Sequence, residues 1–207
     1  MTLSVARSLG SADSFNKFFA CDGKIGLLYS DLSLTRLALY GITLITTDGY
    51  AVWVLDGANS FNAYFVARLA RRWGFAPETI LERIKLSRAF TCYQMKELVT
   101  RRLASALSPP QGTAIFCLGL LETFYDEDVK MVDAVPMIKM ISANFATLAR
   151  RGYTILITAR EPRAEQKDRL VLLNLLKASA RRVEHIHISA DEHVTPVQQS
   201  LLLSALG

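Results

Sequence analysis

Residues Asn59 to Met95 read NSFNAYFVARLARRWGFAPETILERIKLSRAFTCYQM, and this stretch decides the fold. Phe61, Phe65, Leu69 and Trp73 recur every fourth residue, which predicts a helix over 61–73 with these four side chains on one apolar face. Arg68, Arg71 and Arg72 fall mostly off that face. Pro77-Glu78 opens a second, short helix through Arg83, since proline is tolerated in a first helical turn. Ile84 to Phe90 then reads as a strand, and Tyr93 to Leu107 as a helix stopped by Pro109-Pro110.

Upstream, Ile25–Tyr29 suits a first buried strand and Leu34–Tyr40 one or two helical turns that Gly41 should end. Ala51–Leu55 is a strand between the turn signals Asp48-Gly49 and Asp56-Gly57. Downstream, Thr113–Leu121 is continuously apolar, as a strand buried on both faces must be. Val135–Arg150 reads as a long helix closed by Gly152, Tyr153–Thr158 as a strand, and Leu170–Ala178 as a helix. Val183–Ile188 follows as a strand and Thr195–Leu206 as a terminal helical segment. Strands alternating with helices predict an α/β fold, a mainly parallel sheet with helices on both faces, in one domain.

The totals agree. The chain has 207 residues, 51% of them apolar, enough for one full core. The longest apolar run, Leu37 to Ile45, contains Tyr40, Gly41 and Thr43 and reads as buried helix and strand, so no membrane partner is expected. No secretion signal is read at the start. Three scattered cysteines (Cys21, Cys92, Cys117) form no C-x-x-C pair, so neither a metal cage nor a disulfide framework is expected and a reducing cytoplasm fits. The net charge of +5 is compatible with nucleic acid without being diagnostic.

The order of features in 56–95 resembles RecA/RadA-type recombinase ATPases: an acidic strand end, an amphipathic helix, a Gly-x-x-Pro-Glu elbow at Gly74–Glu78, a strand ending Arg88-Ala89-Phe90, and a Gln94-Met95 helix start. The resemblance spans roughly 23–160. It implies a RecA-like core over 23–207, without the family's N-terminal helical domain, preceded by an arm over 1–22 that Phe15, Phe18 and Phe19 could pin down. It also implies where a phosphate-binding loop should lie. Ser33-Leu34-Thr35-Arg36-Leu37-Ala38 resembles the family's Gly-Lys-Thr-x-Leu-Ala, with Ser33 at the glycine, Leu34 at the lysine and only Thr35 retained. Glycines give such a loop the positive φ values that turn its N–H groups onto phosphates, and the lysine supplies the cation. Asp31 adds negative charge nearby. The stretch Ala114–Phe124 resembles the family's second motif, and its Mg²⁺-binding aspartate falls at about Gly119, where there is no carboxylate; the nearest acids are Glu122 and Asp126.

These degenerate positions (Ser33, Leu34, Thr35, Gly119) imply a core without Mg-ATP, metal or catalytic residues of its own. The resemblance then points to a non-catalytic accessory or scaffold protein in DNA recombination or repair, bound to a recombinase-like partner or to itself. The alternative is a divergent ATPase with its missing side chains supplied by a neighbouring subunit, or by Arg36 and Glu122. Thr158-Ala159-Arg160 aligns with a γ-phosphate sensor that starts a DNA-contacting loop. Arg160, Arg163, Lys167 and Arg169 are therefore candidate contacts to single-stranded or duplex DNA, against a plainer reading as a solvated mixed-charge loop. Asp56 is either a remnant of the catalytic apparatus or a turn or helix cap, while Arg88 and Gln94 should set a strand end and a helix start. Four basic pairs (71–72, 101–102, 150–151, 181–182) stand near element ends, where the helix dipole favours them. His185, His187 and His193, with Asp191 or Glu192, lack the helical spacing of a metal motif.

Overall fold

The computed structural model describes residues 24–186. The N-terminal arm, Cys21, His187, Asp191, Glu192, His193 and the segment from Thr195 lie outside the described residues. Strand β1 (Ile25–Ser30) leads into α1 (Thr35–Thr47), β2 (Ala51–Asp56), α2 (Ala63–Arg72), α3 (Pro77–Glu82) and β3 (Ile84–Arg88). Helix α4 starts at Cys92–Glu97, widens into a π turn at Leu98–Arg102 and closes at Leu103–Ala106. Then come β4 (Thr113–Leu118), a 3₁₀ turn (Glu122–Phe124), α5 (Met131–Arg150), β5 (Thr154–Arg160), a second 3₁₀ turn (Ala164–Arg169), α6 (Leu170–Ser179) and β6 (Arg182–His185). The strands form one six-stranded sheet in the order β3-β2-β4-β5-β1-β6, with every pairing parallel. The α/β class read from the sequence is the observed one, in a single domain, and it is consistent with a RecA-like core. Among the described residues no helix is long and apolar enough to cross a membrane.

Alternation along the strands explains the layers. In β4, Ala114, Phe116 and Leu118 join Leu39, Ile42 and Ile45 of α1, Val66 and Ala70 of α2, and Ile80 of α3. Ile115 and Cys117 meet Met95 and Val99 of α4, Ile141 and Phe145 of α5, and Leu172 and Leu176 of α6 on the other face. All six residues of β4 are buried, as its unbroken apolar run requires.

Two local expectations are corrected, and a third, for α2, is refined. Helix α1 runs through Gly41 to Thr47, so the Leu37–Ile45 run is helix throughout. Glycine costs a helix interior about 1 kcal/mol. Burying Leu39, Ile42 and Ile45 returns about 1.5–3 kcal/mol each, so the helix continues. In α2 the buried residues are Val66, Ala67 and Ala70. Short side chains there let the helix close on its neighbours, and Phe65, Leu69 and Trp73 flank the contact half-buried. Trp73 meets Tyr40 edge-on at 5.2 Å. Strand β4 stops at Leu118, three residues early, because Gly119 turns the backbone at φ 58 and Leu120 N–H leaves the ladder for the Thr158 carbonyl (3.1 Å).

The helices after β1 and β2 cover one face, and those after β3, β4 and β5 the other. The chain thus departs in opposite directions from the adjacent pairs β2/β4 and β5/β1. Such divergence opens a crevice at the carboxyl ends of the strands, the usual ligand position in open α/β sheets.

Candidate functional site

A cavity of about 430 Å³ occupies that crevice. Its walls are residues 31–33 after β1, 57–60 after β2 and 89–90 after β3, with Glu122 after β4 and Arg160 at the end of β5.

The loop after β1 is held by short hydroxyl bonds. Ser33 Oγ and Thr35 Oγ1 lie 3.0 Å apart, and Thr35 Oγ1 donates to Ser60 Oγ at 2.8 Å. Among the described residues Asn59 is the one non-glycine with positive φ, so none of residues 30–35 adopts the left-handed backbone that would gather amides into an anion cradle. Leu34 is 4% exposed and packs into the core beside α1. It is therefore removed from the cavity as well as uncharged.

The loop after β2 closes the opposite wall. The fully buried Asp56 carboxylate accepts the N–H groups of Ser60 (3.0 and 3.1 Å) and Phe61 (3.0 Å), and Arg88 Nε at 3.4 Å. Its role is the turn reading. The helix cap itself is Asn62, whose Oδ1 accepts from Phe65 N–H at 2.9 Å, so α2 begins at Ala63, two residues later than the periodicity placed it. Gly57 and Ala58 both donate to the Leu118 carbonyl, which lays this loop over the end of β4. As a result a Cβ built on Gly119 would stand 2.5 Å from Ala58 Cβ and 3.0 Å from Glu122 Cγ. The strand end where a Mg²⁺-binding aspartate was sought has no room for one.

Beyond β3, Thr91 caps α4 by accepting from Gln94 N–H (3.2 Å), and Gln94 Oε1 reaches back to Phe90 N–H (2.8 Å). This near capping box is the physical content of the Arg-Ala-Phe and Gln-Met signature: Arg88 and Gln94 fix a strand end and a helix start.

Arg160 lies in the cavity wall. Its Nε and NH2 bond both oxygens of Glu122 at 3.0 and 2.9 Å, with both side chains about three-quarters covered. Sequence reading did not pair these two, because they stand 38 residues apart and only the β4–β5 adjacency unites them. Tyr125 Oη donates to the Arg160 carbonyl at 2.6 Å; burial, then the Glu122 charge, push this phenol up, so it keeps its proton. Arg169 departs from the expectation of a surface contact. It is 7% exposed, and its guanidinium donates to the carbonyls of Phe124 and Asp126. Arg163 and Lys167 are exposed, outside the cavity.

Neither a protein-family model nor a curated protein matches the chain, so the functional reading rests on this geometry.

Cys92 and Cys117 are free and wholly buried, and burial raises both thiols. Iodoacetamide followed by peptide mapping is expected to leave both unmodified in native protein and to label both in guanidinium. The raised Cys117 also sets a sign. Unfolded thiols ionise near 9.0 while the folded one cannot, so stability is full below that pH and falls above it. The slope is about 1.4 kcal/mol per pH unit for each such group. Denaturant titrations from pH 8 to 11 should show the decline, and Cys117→Ala should flatten it; an unchanged slope would refute the assignment.

Proposed function

We propose that this chain is a catalytically silent core of the RecA/RadA recombinase type. It acts as an accessory or scaffold protein in DNA recombination or repair, pairing with a recombinase-like partner or with a second copy of itself in the cytoplasm. The observation that carries this reading is the state of the crevice. Leu34 is withdrawn into the core, Ala58 covers Gly119, and the one cation in the wall, Arg160, is spent on Glu122. A triphosphate needs a cradle of amides, a cation and a metal-holding carboxylate, and the residues at those positions offer none of the three. Free buried thiols support the reducing compartment. Of the four candidate contacts to a DNA backbone, Arg163 and Lys167 are the exposed ones.

Thermal denaturation with millimolar ATP and Mg²⁺ tests the reading. A ligand that binds the native state at 100 times its Kd stabilises by about 2.7 kcal/mol, so nucleotide binding would raise the Tm by degrees. No rise is expected, and no hydrolysis above background with or without DNA. A rise that Thr35→Ala abolishes would replace this reading with that of a divergent ATPase.

A further inference from the structure

The crevice has lost the means to hold a nucleotide, yet it remains open and its lining is specific. Two carboxylates, Asp31 and Glu122, face one guanidinium, Arg160, leaving one net negative charge. Glu122 is engaged with both oxygens. Asp31 is exposed and accepts a bond at Oδ1 from Ser30 Oγ at 3.1 Å, and among the described residues no donor is seen at its Oδ2. At the mouth Phe90 is 66% exposed and Leu32 42%. Asn59, in the same lining, holds φ 49, the left-handed backbone that is uncommon outside glycine and recurs at functional clefts.

A carboxylate edge combined with an aromatic and an aliphatic wall complements one kind of group: a cation on an apolar stem. Phosphates and carboxylates are repelled by the net charge, and a purely apolar side chain would leave Asp31 facing grease. Guanidinium fits better than ammonium, because its planar face stacks on a phenyl ring while its edge donates to a carboxylate, and because it is less strongly hydrated.

We propose that the cavity receives an arginine side chain presented by a protein partner, with Asp31 accepting its donors and Phe90 and Leu32 covering its face and stem. The proposal rests on the nucleotide-free reading above, since a bound nucleotide would occupy the same space.

The test is an amide-resolved NMR titration of the ¹⁵N-labelled full chain with N-acetylarginine amide, with N-acetylcitrulline amide, of the same shape without the charge, as the control. Saturable shifts are expected at the amides of Ser33, Asn59 and Phe90 with the arginine probe and none with citrulline. Asp31→Asn should raise the apparent Kd about fivefold, the worth of one partly exposed ion pair. Phe90→Ala should weaken binding while leaving the rest of the spectrum, and so the fold, in place. Equal responses to the two probes, or none, would overturn the proposal while leaving the silent-core reading standing. Shifts of the same amides by Mg-ATP would remove both.

Discussion

Gly119→Asp is expected to unfold the protein, not to supply a metal-binding carboxylate. Two independent obstacles meet at this residue. Its φ of 58 costs a side-chain-bearing residue about 1–2 kcal/mol. A Cβ there would lie 2.5 Å from Ala58 Cβ, inside any real contact distance, and Ala58 is fixed because its own N–H and that of Gly57 bond the Leu118 carbonyl. Overpacking of this kind costs about 1–3 kcal/mol. Gly119→Ala alone should therefore lose about 2–5 kcal/mol in denaturant titrations, out of the 5–15 kcal/mol typical of a domain. The aspartate adds a buried charge beside Glu122 and should remove what remains. A double-mutant cycle isolates the contact. Ala58→Gly deletes the nearest atom, so the pair Ala58→Gly and Gly119→Ala should be less destabilised than the sum of its parts by about 1–2 kcal/mol. Strict additivity would show that Ala58 is not what closes the strand end. The cycle bears on the proposed function too, since a strand end closed by Ala58 leaves no place for a metal-holding carboxylate at position 119.

How much of this was legible follows from where each signal resides. Parallel α/β architecture was readable because buried strands such as Thr113–Leu118 are unbroken apolar runs and the helices between them are periodic. Gly41 misled because a glycine's local cost is small beside the burial that tertiary packing supplies to Leu39, Ile42 and Ile45. Along α2, periodicity marked the apolar face but not the depth of burial: Val66, Ala67 and Ala70 bury more fully than their larger neighbours because the helix sits close. At the site, Ser33, Leu34, Thr35 and Gly119 were singled out only by the resemblance of residues 33–38 and 114–124 to a family's motifs. Pairing had no such signal. Arg160 with Glu122, and Ser60 with Thr35, join loops from different strands, and strand order is not written in any local pattern.

Asp56→Ala should be the second most damaging change, and its size should come from amides more than from the ion pair. The carboxylate is fully buried at the end of β2, where Asp56 registers with Arg88 on one side and Leu118 on the other. Removing it orphans the N–H groups of Ser60 and Phe61 at once, and strips Arg88 of its partner. Losing a buried charged acceptor with several donors costs about 3–5 kcal/mol. Arg88→Ala should cost about 1 kcal/mol or less, because its side chain is 42% exposed and its bond to Asp56 is long at 3.4 Å. Asp56→Asn keeps one acceptor oxygen and should fall between the two. Urea unfolding of the three variants gives the ranking, and added salt separates the contributions, since screening weakens the Arg88 pair and leaves the amide bonds alone. If Arg88→Ala proved as costly as Asp56→Ala, the ion pair would be the clamp and the turn amides incidental. The ranking matters for the cavity, because the turn that Asp56 holds is its wall. Ser60 passes the restraint to Thr35 through its hydroxyl, so one carboxylate behind the crevice fixes the loops after β1 and β2 together. Asp56→Ala, studied at a temperature where it remains folded, should therefore broaden the amide signals of residues 31–33 and 57–60 while those of β4 and β5 stay sharp. Uniform broadening would mean that the residue supports the domain as a whole and not the crevice.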